Sequence, residues 1–449
     1  MKAFKAYDIR GVYPDDWNGD DAYKIGYFLP KLLKTNDILL GRDVRISSDE
    51  IYEKLSRGIC DAGANVINLG ITTTPMVYWA TARLGLDASV QITASHNPKN
   101  HNGLKVSTTD AMPVGYDGGL KKIQLWMETE EVKPVLTTGV IEDLDLSTEY
   151  IQFMRQYIPE LRGIKIAVDC SNGMAGLFIR ELLGDDHLYI NEKPDGLFPG
   201  HDPNPLNPAN IVQLSNTVTD NKCDLGVIYD GDADRVMFVD ERGHFISPDL
   251  MIAVLGHKFL DGRKGIRVLQ DIRTSLSVGE YLEKMGAEMH MWRVGRAFAA
   301  PKLKEIRGLF GGELAGHYYF RDFNYSDSGI LASLHILDVL AGIVAKGQTV
   351  SDFIRSINSY ANSGEINFII DDKEAAISSL VNSICAGEKP LRKYDFDGIR
   401  LEFNEWWFNI RPSNTEPYLR LLAEAVSEEL LMAKLGDIKK ILKPFIQSR

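Results

Sequence analysis

Residues 89–106 read SVQITASHNPKNHNGLKV. The β-branched run before Ala94 reads as a strand. The polar segment that follows, with Pro98 and Gly103, reads as a loop, so the Ser95 hydroxyl is presented at a strand terminus. The same unit recurs outward along the chain. Short apolar runs at 37–40, 65–69 and 164–168 alternate with longer helical patterns, and Gly/Asp-rich turns punctuate them, as in VDCSNGMAG at 168–176 and YDGDADR at 229–235. That alternation predicts an α/β fold with functional loops at strand ends.

A chain of 449 residues exceeds a single hydrophobic core. Turn-rich breaks at 132–145 (VKPVLTTGVIEDLD), 240–245 (DERGHF) and 360–365 (YANSGE) divide it into four expected domains, 1–142, 143–244, 245–360 and 361–449. The first three share an α/β rhythm without a legible residue-level repeat. Apolar residues at 44% and charged residues at 25% exclude wholesale disorder. The net charge of −12, with no Lys/Arg block, argues against nucleic acid as a partner. Cys60, Cys170, Cys223 and Cys385 lie in no zinc-binding spacing and read as reduced thiols. Charge interrupts the N-terminal MKAFKAYDIR before any apolar core develops, and the longest apolar stretch, 336–345, is too short to cross a bilayer. The expectation is a cytoplasmic protein with no membrane partner, while its oligomeric state is not written in the sequence.

DGDADR supplies Asp230, Asp232 and Asp234 at alternate positions, and Gly231 permits a tight bend between two expected strands. Clustered carboxylates repel unless a cation offsets them, and hard oxygen donors suit an ion of the Mg²⁺ class. The alternation also fits the opening of an EF-hand, but Arg235 stands where that loop needs glycine, and strands replace the flanking helices. An isolated serine is more often a turn or cap residue than a nucleophile. His96 beside Ser95 suggests an acyl-transfer pair, which the missing GxSxG and the poor mutual aim of chain neighbours argue against. GGELAGH at 311–317 places Glu313 and His317 on a glycine-rich turn, either as ligand contacts or as an ordinary turn acid and packed histidine. RPSNTEP at 411–417 joins Arg411 to Ser413, Asn414 and Thr415, which suits a dianion and equally a helix N-cap. No P-loop or GxGxxG points to a nucleotide.

TASHNP with the following NGLK (Ser95, His96, Asn97, Pro98, Asn102, Gly103 and Lys105) resembles the phosphoserine loop of the α-D-phosphohexomutase superfamily. DGDADR, GGELAGH and RPSNTEP resemble its metal, sugar and phosphate loops. YDIRG at 7–11, GRDVRISS at 41–48, DCSNG at 169–173 and PDGLFPGHDPNP at 194–205 are further matches in family order. The resemblance runs from Tyr7 to the region of Arg420 and is nearest the bacterial phosphomannomutase/phosphoglucomutase group. It implies three related domains with mixed sheets and a smaller α+β fourth domain around a central cleft, the fourth hinging over the others.

The same resemblance implies an enzyme that interconverts hexose 1-phosphate and hexose 6-phosphate, of mannose or glucose. The route would be a phosphoserine at Ser95 and a hexose 1,6-bisphosphate that serves as intermediate and activator. Mg²⁺ would be held by Asp230, Asp232 and Asp234 and bridged to the phosphate on Ser95. Arg235 and His96 would lie at the site, Arg10, Lys105 and His317 would be candidates for proton transfer, and Glu313 would accept from ring hydroxyls. Two departures stand out: Ala315 where the family usually has Ser, and Arg296 in RVGRAF where His is usual. Arg296 and Arg273 would face substrate phosphate or form surface or interdomain ion pairs. Leu314, where phosphoglucosamine mutases favour Gln, argues against that alternative. A phosphosugar hydrolase and a phosphohexose-binding relative without turnover are the other readings.

Overall fold

A computed structural model describes residues 2–413 and 418–446. Four sheets follow one another along the chain. In the first, Asp37–Arg42 runs parallel to Asn65–Ile71 and Ala88–Ile92, and His101–Thr108 runs antiparallel to Ala88–Ile92 and Ile9–Val12. Ile38, Leu39, Leu40, Val90 and Ile92 are fully buried, as expected for strands covered on both faces. The second sheet pairs Leu225–Tyr229 in parallel with Ile166–Asp169 and antiparallel with Val236–Asp240. The third pairs Ile266–Asp271 in parallel with Ala287–Trp292 and Phe310–Gly312, which is antiparallel to Tyr318–Phe320. The fourth is antiparallel throughout and is accompanied by the helices Lys373–Gly387 and Glu428–Leu442. The fold is α/β, with three mixed sheets and a smaller antiparallel one.

Two short edge strands fall across the divisions that the turn pattern suggests. Ile141–Asp143 pairs with Asn65–Ile71 and straddles the break after 142, while Phe245–Ile246 joins the second sheet although the pattern puts 245 in the third domain. Strands of two or three residues carry too little periodicity to be assigned from composition.

The apolar cores divide the molecule unequally. One cluster runs through Trp79, Tyr150, Val168, Phe238 and Leu331 and so unites the first three domains. The fourth domain closes on itself around Phe368, Leu401, Trp406, Leu421 and Leu435. Its ties to the third domain include polar ones and an aromatic stack: Arg400 Nη1 donates to the carbonyls of Ile272 (2.7 Å) and Thr274 (2.8 Å), Asp397 accepts from Val294 N at 2.8 Å, and the Phe396 ring stacks on Trp292 at 5.4 Å.

Gly103 sets the spacing that brings two functional segments together. It lies opposite Arg10 in the ladder, and a Cβ there would stand 2.3 Å from the Ile9 carbonyl and 2.9 Å from that of Thr93. Gly103→Val is therefore expected to destabilise the protein by about 1–3 kcal/mol through overpacking and to displace Arg10 and the Ser95 loop together. A thermal melt matching that of the parent would contradict this close approach.

Candidate active site

Ser95 sits three residues past the strand Ala88–Ile92, buried, with φ at +53°. A left-handed backbone at a non-glycine residue costs about 1–2 kcal/mol and needs enforcement by its surroundings. Arg45 supplies much of it. Its guanidinium is fully buried and donates to the carbonyls of Ser95 (2.8 Å), Asn97 (2.6 Å), Pro98 (2.7 Å) and His101 (3.1 Å). Asp43 pairs with Arg45 at 3.1 Å and accepts from Ser48 Oγ at 2.6 Å, and Thr93 Oγ1 accepts from Ser95 N at 2.8 Å. The GRDVRISS run is thus the frame of the serine loop.

The turn 230–235 closes the hairpin Leu225–Tyr229/Val236–Asp240 directly beneath Ser95. A Cβ on Gly231 would lie 2.5 Å from the Ser95 carbonyl, and one on Gly173 would lie 2.7 Å from the Gly231 carbonyl, so only glycine permits this stack of loops. Asp230, Asp232 and Asp234 are buried, and one oxygen from each falls within 4.8 Å of the others. Ser95 Oγ donates to Asp230 Oδ2 at 2.7 Å, and Thr74 Oγ1, in the first turn of the helix Thr74–Arg83, donates to Asp232 Oδ2 at 2.5 Å. Lys105 Nζ bridges Asp232 Oδ2, at 2.6 Å, and Asp234 Oδ2.

Burial, then the charges of Asp232 and Asp234, push the Asp230 carboxyl well above its usual range. Burial acts on Asp234 in the same direction, but the Lys105 cation outweighs it and pulls that group down. Burial would lower Lys105, yet the two carboxylates raise it and hold it charged. Oδ1 of Asp232 and Oδ1 of Asp234 are buried with no hydrogen-bond partner among the described residues. Two such acceptors in an all-oxygen set fit a small divalent cation.

The sugar-loop candidates are zipped to this turn. Val236 N donates to the Gly316 carbonyl at 3.2 Å, and Arg235 forms a backbone bridge with His317. Arg235 Nε donates to His317 Nε2 at 2.8 Å, and His317 Nδ1 lies 2.6 Å from Asp327 Oδ2. The ring is therefore a neutral tautomer, oriented from both sides. Glu313 accepts from Tyr319 Oη at 2.6 Å and from Gly295 N at 3.1 Å, and burial raises its pKa. Ala315 is half-buried in the same turn.

His96 Nδ1 stands 3.3 Å from Ser95 Oγ, closer than chain neighbours usually come. Burial first, then Arg235, Arg10 and Lys105, hold its pKa far down. The serine proton is directed to Asp230 at 2.7 Å, and no acyl-transfer triad forms. Arg10 Nη1 donates to Asn97 Oδ1 at 3.1 Å and pairs with Asp8.

Arg273 pairs with Asp271 at 2.7 Å and approaches Glu313 at 4.0 Å, placing it between the sugar loop and the fourth domain. Arg296 is fully committed elsewhere. It binds Asp327 (3.0 Å), the Ala111 carbonyl (2.5 Å) and Ser326 Oγ (3.3 Å), and it lies over the Tyr78 ring at 3.7 Å. These bonds join the third domain to the first, the arrangement that the interdomain ion-pair alternative describes.

Arg411 is buried, and Ser413 N donates to the Tyr418 carbonyl at 2.9 Å. Asn414 and Thr415 lie outside the described residues. Sequence reasoning assigned no role to Arg45, Thr74, Asp271 or Asp327. Arg45 lies in the GRDVRISS motif and Asp271 two residues before Arg273, whereas Thr74 and Asp327 act through partners farther along the chain.

Family profiles match the chain in four consecutive stretches: phosphoglucomutase/phosphomannomutase alpha/beta/alpha domain I over 1–132, domain II over 148–243, domain III over 247–360 and the C-terminal domain over 365–440. A phosphomannomutase of Vibrio cholerae is 35% identical across 99% of this chain and 98% of its own length. A Xanthomonas campestris protein described as phosphohexose mutases is 34% identical, with 99% of each chain covered. The crystal structure of a phosphoglucomutase/phosphomannomutase family protein from Burkholderia thailandensis superposes with a TM-score of 0.89 at 26% identity, over 99% of this chain and 97% of that one. The chain therefore belongs to the phosphoglucomutase/phosphomannomutase family and is a phosphohexomutase, an intramolecular phosphotransferase.

Proposed function

We propose that phosphorylated Ser95 gives its phosphoryl group to the free hydroxyl of a hexose monophosphate, and that the resulting hexose 1,6-bisphosphate turns over and returns its other phosphoryl group to the serine. The observation that carries this reading is the 2.7 Å contact between Ser95 Oγ and Asp230 within the carboxylate cluster. In the first half, the phosphorus–Ser95 Oγ bond breaks, a bond to the sugar oxygen forms, and the hydroxyl proton passes to a base. The second half reverses this at the other end of the sugar. Asp230, Asp232 and Asp234 would hold Mg²⁺, which supplies charge neutralisation at the phosphoryl oxygens when bound.

Lys105, pinned as a cation beside Asp232, stabilises charge rather than accepting a proton. His317, with Nε2 unprotonated and its ring set by Asp327, is the better-placed base once Arg235 turns to phosphate. Glu313 takes ring hydroxyls, and Arg411 with Ser413 cradles the phosphate that is not being transferred. Mannose and glucose phosphates are the proposed substrates. Leu314 speaks against glucosamine phosphate, and the intact Ser95 and Asp230 speak against a relative that only binds sugar.

Ser95→Ala is expected to keep the parent melt and lose isomerisation by about 10³-fold or more, with no phosphoprotein seen by intact mass. Full activity in that variant would overturn the mechanism. In the parent, total organic phosphate should stay constant during turnover, whereas release of inorganic phosphate would mark a hydrolase. Chelation of divalent ions should stop turnover and Mg²⁺ restore it; activity unaffected by chelation would remove the proposed ion. Arg45→Met, which leaves four loop carbonyls without their donor, is expected to lower kcat by about 10²-fold with little change in KM. Parent kcat in Arg45→Met would show that the loop is held by other means.

A further inference from the structure

Glu365 stands one residue beyond Gly364, where the third domain gives way to the fourth, and its carboxylate lies among guanidinium groups from both sides. Oε1 is 2.9 Å from Arg420 Nη1, and Oε2 is 3.6 Å from Arg411 Nη2 and 3.9 Å from Arg273 Nη1. Arg411 and Arg420 face each other across the ladder of the fourth sheet. Arg273 already has a carboxylate of its own, Asp271, at 2.7 Å. Glu365 therefore sets a carboxylate against both Arg411 and Arg420 at the junction.

We infer that Glu365 is an internal stand-in for substrate phosphate, resting in the arginine cradle when no phosphosugar is bound and displaced by the arriving dianion. This rests on the reading of Arg411 as part of that cradle. Burial, and after it the nearby Arg273, disfavour the charge on Arg411, so an empty cradle gains from a local anion. The carboxylate matches one charge, whereas a phosphate monoester carries close to two and adds charge-assisted bonds to each guanidinium. Glu365 is also free to leave. Its side chain is 26% exposed, against 6% for Arg411 and 7% for Arg273, and at Gly364 before it, with φ at +62°, an added Cβ would meet nothing within 4 Å. The carboxylate weakens resting affinity for phosphate and, on returning, speeds product release.

A carboxylate that merely scaffolds the arginines would act in the opposite direction, which makes Glu365→Gln decisive. Titration calorimetry with inorganic phosphate at fixed ionic strength, using the full chain, is expected to show binding about fivefold tighter than the parent. KM for hexose phosphate should fall in the same ratio, and kcat should not rise. Glu365→Asp, with its shorter reach, should give an intermediate gain and serves if the amide variant misfolds. Unchanged or weaker phosphate binding in both folded variants would overturn the inference. Arg411→Ala is the control for the underlying reading. Loss of phosphate binding there, without tightening in the Glu365 variants, leaves the cradle standing and removes only the stand-in. Binding unaffected by Arg411→Ala removes both.

Discussion

Three carboxylates forced together in a buried turn are the constraint to which the rest of the site answers. Oxygens within 4.8 Å of one another, each fully charged, would repel by about 3–4 kcal/mol per pair at an effective dielectric of ~20. Summed over the three pairs, about 10 kcal/mol, that is comparable with the whole stability of a domain. Lys105 relieves part of the repulsion by donating to two of the three, and Thr74 and Ser95 by donating to one each. All three donors come from the first domain and all three carboxylates from the second. These contacts also draw the two domains together at Ser95, and the two oxygens without a hydrogen-bond partner among the described residues would suit a cation.

Around that junction the packing separates rigid from movable parts. A continuous apolar cluster joins the first three domains, so the serine, carboxylate and sugar loops form one frame. The fourth domain has a core of its own and meets the third through Arg400, Asp397 and Glu424, which bond to main-chain groups. These ties and the Phe396–Trp292 stack are few beside the shared core of the first three domains, so a shift of the fourth domain would expose little apolar surface. Glu365 sits where such a rotation would pivot.

The layered fold was legible because each sheet has an apolar strand followed by a Gly/Asp-rich turn, and local pattern suffices for that. The short strands Ile141–Asp143 and Phe245–Ile246 were not legible, since pairing with distant partners defines them. Within the site, Ser95 and the three aspartates could be read from loops whose chemistry is written in adjacent residues. Thr74 and Asp327 could not, because each acts on a group from another segment, while Arg45 stood in a recognisable motif but its hold on the loop carbonyls was not legible. For Arg296 the sequence left phosphate contact and interdomain pairing both open, and only the fold shows its bonds to Asp327 and the Ala111 carbonyl.

The central claim is that a divalent ion in the 230–234 turn sits against the phosphate on Ser95. The most direct measurement is the ³¹P resonance of the phosphorylated protein titrated with Mn²⁺ in place of Mg²⁺. Stoichiometric Mn²⁺ is expected to broaden the phosphoserine line beyond detection, and Asp232→Asn should restore it. A phosphoserine line that stays sharp while Mn²⁺ is demonstrably bound would place the ion away from the serine and contradict the account.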